Sequence, residues 1–158
     1  MMIQDPSTFD LRGTVQRLVP HVFETMLSLT VTPATAAVSG ERVTGNIGIG
    51  GETVSGAVYL HFSEPLACRA AAAMLGLPST EAADNGAVND VASELTNMIG
   101  GGIKSALNDA ERPCAMSTPS IVRGLGFTIE LAPGARSETF VFDCHGERLA
   151  VEVHLKLM

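Results

Sequence analysis

RVTGNIGIGGETVSGAVYLHF, residues 42–62, decides the architecture. Two runs within it alternate apolar with small or polar residues. Val43, Gly45, Ile47 and Ile49 share one face of the first, and Val54, Gly56, Val58, Leu60 and Phe62 share one face of the second. A period of two belongs to an extended strand, and Gly50-Gly51 between the runs predicts a reversal, so the stretch reads as a β-hairpin. Ser63 then offers an N-cap and Pro65 suits an early helical position, opening the Ala-rich helix EPLACRAAAAMLGL.

Upstream, residues 9–29 place Leu11, Val15, Leu18, Val19, Val22, Phe23, Met26 and Leu27 at helical spacing. Pro20 lacks a backbone donor, which predicts a broken or late-starting helix. TVTPATAAV is a weak strand. Downstream, the acidic loop STEAADNG leads to a second long helix, NDVASELTNMIGGGIKSALNDA, residues 89–110. After Pro113 and Pro119 come strand-like SIVRG and FTIEL, then ETFVFDC and RLAVEVHLKL, which alternate cleanly and turn at His145-Gly146. The expected fold is α+β, a mainly antiparallel sheet of about six strands with two long helices packed on one side, in a single domain over residues 1–158. Many small strand residues and a long, regular final strand favour a homodimer paired through sheet edges.

Composition narrows the function. With 158 residues, 46% of them apolar and 17% charged, the chain can bury a core without disulfide or metal support. A net charge of −7 disfavours nucleic acid and anionic membrane surfaces, and the absence of Trp argues against an aromatic binding groove. Cys68, Cys114 and Cys144 are widely spaced, and the N-terminal MMIQDPSTFD has neither the basic flank nor the apolar run of a signal peptide. A cytoplasmic, reduced location is expected, and the longest apolar stretch, LACRAAAAMLGL, is too short to span a bilayer.

At about 100° per residue, Val88, Val91, Ala92, Leu95, Met98, Ile99, Ile103, Ala106 and Leu107 fall in one arc of the helix of residues 89–110 and the residue before it. Asp90, Glu94, Asn97, Gly101, Lys104 and Asn108 fall opposite. Most such stripes are simply solvated. Asn is a poor helix former, however, and three consecutive glycines, Gly100 to Gly102, cost roughly 3 kcal/mol relative to alanine inside a helix. They read as a C-cap or break, as a helix-packing requirement, or as low relief beside Asn97 that lets another backbone come near.

Asp90-x3-Glu94-x2-Asn97, followed by glycines, a Lys-containing helical tail and Pro119 twenty-two residues after Asn97, resembles the signature of the CheC/CheX/FliY chemotaxis phosphatases. PHVFETMLSL and TGNIGIGGETVSGAVYLHFSE resemble the early helix and hairpin of the CheX type, in the same order. Only one such helix is present, because the first helix reads Glu24-Thr-Met-Leu27 where Asn is required, and this favours CheX over CheC.

The resemblance implies a substrate, a phosphorylated CheY-like response-regulator receiver carrying an aspartyl phosphate, and a chemistry in which the partner supplies Mg2+ and this chain no cofactor of its own. Asn97 is then the residue that orients the attacking water, since a carboxamide accepts and donates without repelling phosphoryl oxygens. Glu94 is the docking carboxylate that pairs with a receiver lysine, and Asp90, Gly101 and Pro119 are supporting residues. The competing readings are a receiver-binding adaptor of the same fold without hydrolysis, and an unrelated small-molecule enzyme betrayed by a deep pocket away from this helix.

No metal site is expected. His21, His61, His145 and His154 are scattered, and His61 and His154 alternate with apolar residues as solvent-facing strand positions do. The cysteines read as buried small hydrophobes, and GIGGE matches no phosphate-loop pattern.

Overall fold

The computed structural model describes residues 9–125 and 127–158; most of the N-terminal stretch read above for a leader signature, residues 1–8, lies outside them. Helix α1 spans Leu11–Leu27, α2 Glu64–Leu75 and α3 Asn85–Asp109, with a 3-10 turn at Thr80–Ala82. The strands are β1 Thr32–Ala34, β2 Arg42–Gly50, β3 Val54–Ser63, β4 Ala115–Met116, β5 Ser120–Gly124, β6 Arg136–Cys144 and β7 Glu147–Leu157. They form one antiparallel sheet in the order β1-β6-β7-β3-β2-β4, with β5 also on β2. The α+β expectation holds, with seven strands rather than about six.

The pleat explains which face is covered. Val43, Ile47, Val58, Leu60, Phe62, Leu149, Val151, Val153, Phe140 and Phe142 are buried beneath the helices with Val15, Val19, Phe23, Leu66, Leu95, Ile99, Ile103 and Leu107. Each such side chain, removed from water, contributes roughly 1.5–3 kcal/mol. The α3 residues Leu95, Ile99, Ile103 and Leu107 are fully buried, so this helix is seated along its whole length.

Local chemistry sets the boundaries. Ser63 caps α2 by accepting from the Leu66 N–H, Pro65 sits in its first turn, and Gly76 ends it in the left-handed region. Asp84, unremarked in the sequence, caps α3 through the Ala87 N–H at 2.7 Å. His145 and Gly146, both at positive φ, make the two-residue turn between Cys144 and Glu147.

Three expectations need correction, and one of the three readings of the α3 glycines is excluded. Helix α1 is not broken at Pro20: Asp10 caps it at the Gly13 N–H, and it continues to Leu27. Gln16, whose carbonyl Pro20 cannot serve, is exposed to water. The glycines of α3 are neither cap nor break, because the helix runs through them to Asp109. FTIEL forms no strand: β5 already occupies the β2 edge, and Arg42 holds Phe127 by donating to its carbonyl at 2.7 Å with its guanidinium 4.4 Å from the ring centre. His61 and His154 do not face solvent; they are 2% and 5% exposed.

Candidate functional site

Helix α3 lies on β2 through two reciprocal close approaches. A Cβ at Gly45 would overlap Thr96 Oγ1 and stand 2.9 Å from Thr96 Cβ, so the missing side chain on the strand is what lets Thr96 sit down. One turn later the roles reverse: a Cβ at Gly100 would overlap Ile47 Cδ1 and stand 3.1 Å from its Cγ1. Gly102 does the same for α1, where a Cβ would lie 2.5 Å from Leu18 Cδ2. Thr96 is fully buried and donates its hydroxyl to the Ala92 carbonyl at 2.7 Å. Arg123 of β5 ties down the start of the helix with two bonds to Asn89 Oδ1, at 2.8 and 3.1 Å.

With Leu95 and Thr96 pinned inward, the residues on either side point outward. Asp90, Glu94 and Asn97 are all exposed, and Gly101 and Lys104 are partly so. Glu94 and Asn97 are about 4.5 Å apart along the axis and roughly 60° apart around it, near enough to enter one recess of a partner together. The four residues Asp90, Glu94, Asn97 and Gly101 therefore share one face. Pro119 stands on the neighbouring connection between β4 and β5, half-buried. That connection is held to β2: the Gly48 N–H donates to Ser117 Oγ at 2.8 Å, the Ser117 N–H donates to the Gly48 carbonyl at 2.9 Å, and Asn46 Nδ2 donates to the Ser120 carbonyl at 3.3 Å. Met116 closes this side of the helix beside Gly100 and Gly101.

The opposite sheet face carries a buried polar chain that the sequence did not reveal. Thr44 Oγ1 is 2.8 Å from His61 Nδ1, His61 Nε2 is 3.0 Å from Glu152 Oε1, and Glu152 Oε2 is 2.6 Å from His154 Nε2. Tyr59 stacks beside His61, and Phe127 covers it. Burial holds the His61 pKa below its ordinary value against the opposing bond to Glu152. The register makes room: His61 pairs with Ala150, and His154 with Ala57. Only the cross-strand register could have exposed this chain, since Thr44, His61 and Glu152 come from three separate strands.

Nothing else in the described residues competes as a chemical centre. No group of three His, Cys, Asp or Glu side chains among them is arranged to hold a metal ion. Burial raises the pKa of all three cysteines, which disfavours the thiolate needed of a nucleophile. A hollow of about 660 Å³ lies at the end of β6 and β7 between Phe9, Leu11 and Leu155. Its polar lining, Arg136 and Glu138, is solvent-exposed, so it is an open groove rather than the deep pocket of a small-molecule enzyme. No described helix is long and apolar enough to cross a membrane.

A single antiparallel sheet carrying its helices on one face, with the longest of them presenting a carboxylate and an amide to solvent, places this chain among the CheC/CheX-like α+β proteins. Chemotaxis protein CheX from Vibrio vulnificus superposes with a TM-score of 0.82 at 27% identity, covering 98% of this chain and 100% of that one. A CheC-like superfamily protein from Shewanella sp. PV-4 gives 0.78 at 26% identity over 98% and 99%. The CheX of the CheX–CheY–BeF3–Mg2+ complex from Borrelia burgdorferi shares the fold at 0.73 and 16% identity, over 94% and 99%. The family model of chemotaxis phosphatase CheX matches residues 43–145, and the chain belongs to that family. No curated protein matches it.

Proposed function

We infer that this chain, acting as a single cytoplasmic domain, accelerates hydrolysis of the aspartyl phosphate on a CheY-like receiver. Asn97 holds the attacking water in line, and Glu94 docks on a cationic receiver side chain. An acyl phosphate needs little more than a positioned water and neutralised charge, and the receiver's own Mg2+ and basic residue supply the second. The chain therefore works without a cofactor of its own. Asp90, one turn before Glu94, adds a second carboxylate to the docking face, and Pro119 stiffens the connection that borders it.

The observation that carries this reading is the exposure of Glu94 and Asn97 around the fully buried Leu95 and Thr96, on a helix that is seated too firmly to turn. Family membership supports it, and so does the existence of a CheX–CheY complex in Borrelia. The decisive measurement is single-turnover decay of a phosphorylated receiver. Asn97→Ala is expected to slow the accelerated decay by about 10²-fold or more, the scale of losing one preorganised polar group, while leaving receiver binding in place. Equal decay with both proteins would leave only an adaptor.

The chain is also expected to form a homodimer through the free edge of β5, where Val122 is 47% exposed and Leu125, just past the strand's end, 73%. Sedimentation that gives a monomer mass at high concentration rejects it.

A further inference from the structure

The three glycines of α3 are not alike. Gly100 is required from within, because a methyl there strikes the buried Ile47, whereas at Gly102 it meets the movable end of the partly buried Leu18. At Gly101 a Cβ would find one neighbour, Met116 Cε, at 3.9 Å, which is ordinary van der Waals contact. Alanine therefore fits at this position in the free protein and favours the helix more. Gly101 gives the isolated fold nothing, yet it lies one turn beyond Asn97 on the same solvent-facing side.

Its surroundings form a shallow saddle. Met116, half-buried on β4, lies against Gly100 and Gly101, and the paired hydrogen bonds between Gly48 and Ser117 keep it there. The saddle is apolar, floored by bare helix backbone and bordered by an adaptable thioether, and it adjoins the exposed Glu94 and Asn97. A site of this shape takes main chain rather than a bulky side chain.

We propose that Gly101 and Met116 are the place where the partner receiver's loop backbone crosses α3, so that Gly101 sets the depth to which Asn97 reaches the phosphoaspartate. The proposal rests on the reading of α3 as the docking face. It extends the contact surface from the helix onto β4, toward the sheet edge and away from α1. The requirement for glycine at position 101 then comes from the partner, which separates its effect on folding from its effect on binding.

Thermal melts and receiver titrations test this together. The probe is the receiver whose phosphate the wild-type chain removes fastest, held in its active form by beryllofluoride and Mg2+. Gly101→Ala is expected to raise Tm by about 2–4 °C and to weaken receiver binding about tenfold, the scale of one unaccommodated methyl at a tight contact. Gly101→Leu is expected to abolish binding while the chain stays folded. Gly100→Ala, by contrast, lowers Tm. Wild-type affinity in both Gly101 variants overturns the proposal, as does a fall in Tm for Gly101→Ala. Asn97→Ala in the same series keeps the two readings apart. If it stops hydrolysis while the Gly101 variants bind normally, only the saddle is wrong; if it leaves hydrolysis unchanged while they lose binding, the saddle stands and the assigned catalytic amide falls.

Discussion

Replacing Gly45 by alanine tests the contact that seats the site. The added methyl overlaps Thr96 Oγ1 and presses on Thr96 Cβ at 2.9 Å, between a central strand and a fully buried helix position. Overpacking of this kind costs about 1–3 kcal/mol. Thr96 can escape by rotating, but it then loses its 2.7 Å bond to the Ala92 carbonyl and leaves a hydroxyl buried without a partner, which costs about 1–3 kcal/mol. Whichever route the chain takes, the loss is about 1–3 kcal/mol. For a chain of 158 residues this lowers Tm by about 2–12 °C. Urea unfolding followed by circular dichroism gives the same quantity as a shift in midpoint. Thr96→Ala in the Gly45→Ala background removes the overlapping oxygen, so the pair is expected to recover about 1–2 kcal/mol relative to the sum of the single changes. A wild-type midpoint for Gly45→Ala, or strict additivity of the pair, refutes the packing account and with it the reason given for the outward aim of Asn97.

Acidification probes the other sheet face. Because burial lowers the His61 pKa, the unfolded chain binds a proton below about pH 6.5 that the folded chain does not; stability present above that pH is lost as pH falls toward the folded value, by up to about 1.4 kcal/mol per pH unit. Arg42 and His154 act in the same direction and Glu152 opposes them. His61→Gln is expected to flatten the pH dependence of the urea midpoint between pH 7 and 5.5, and parallel curves for the two proteins contradict the assignment. Pro20→Ala restores an N–H to the Gln16 carbonyl within an unbroken helix and is expected to stabilise by about 1–2 kcal/mol in the same assay. A lower midpoint there means that the helix depends on the proline ring for packing.

Periodicity alone was enough for the two hairpins and for helices α2 and α3, because their apolar residues repeat at the spacing of one buried face. The outward set Asp90, Glu94, Asn97 and Gly101 followed from the same arithmetic. What periodicity could not show is contact between elements far apart in sequence. Thr96 looked like an unremarkable helix residue until Gly45 was placed under it, and the side chains that Gly100 and Gly102 make room for, Ile47 and Leu18, lie on other elements. FTIEL has strand-forming residues, but the β2 edge was already taken by β5. His61 and His154 alternate as surface residues do, and their burial comes from a neighbouring strand and from Phe127. Pro20 misled for a different reason, since local propensity favoured a break while the buried Val15, Val19, Val22 and Phe23 hold the helix whole.

The two borders of the sheet have unequal futures in a crowded solution. Beyond its three-residue pairing with β1, β6 offers backbone groups from Arg136 to Thr139, all on exposed residues, with Arg12 reaching Glu138 at 3.7 Å. Charge and a competing ion pair make this rim a poor template for an incoming strand. The homodimer proposed at the opposite rim, β5, would join two like surfaces about a twofold axis and then have nowhere to propagate, so the same asymmetry would allow a pair of chains and prevent a filament.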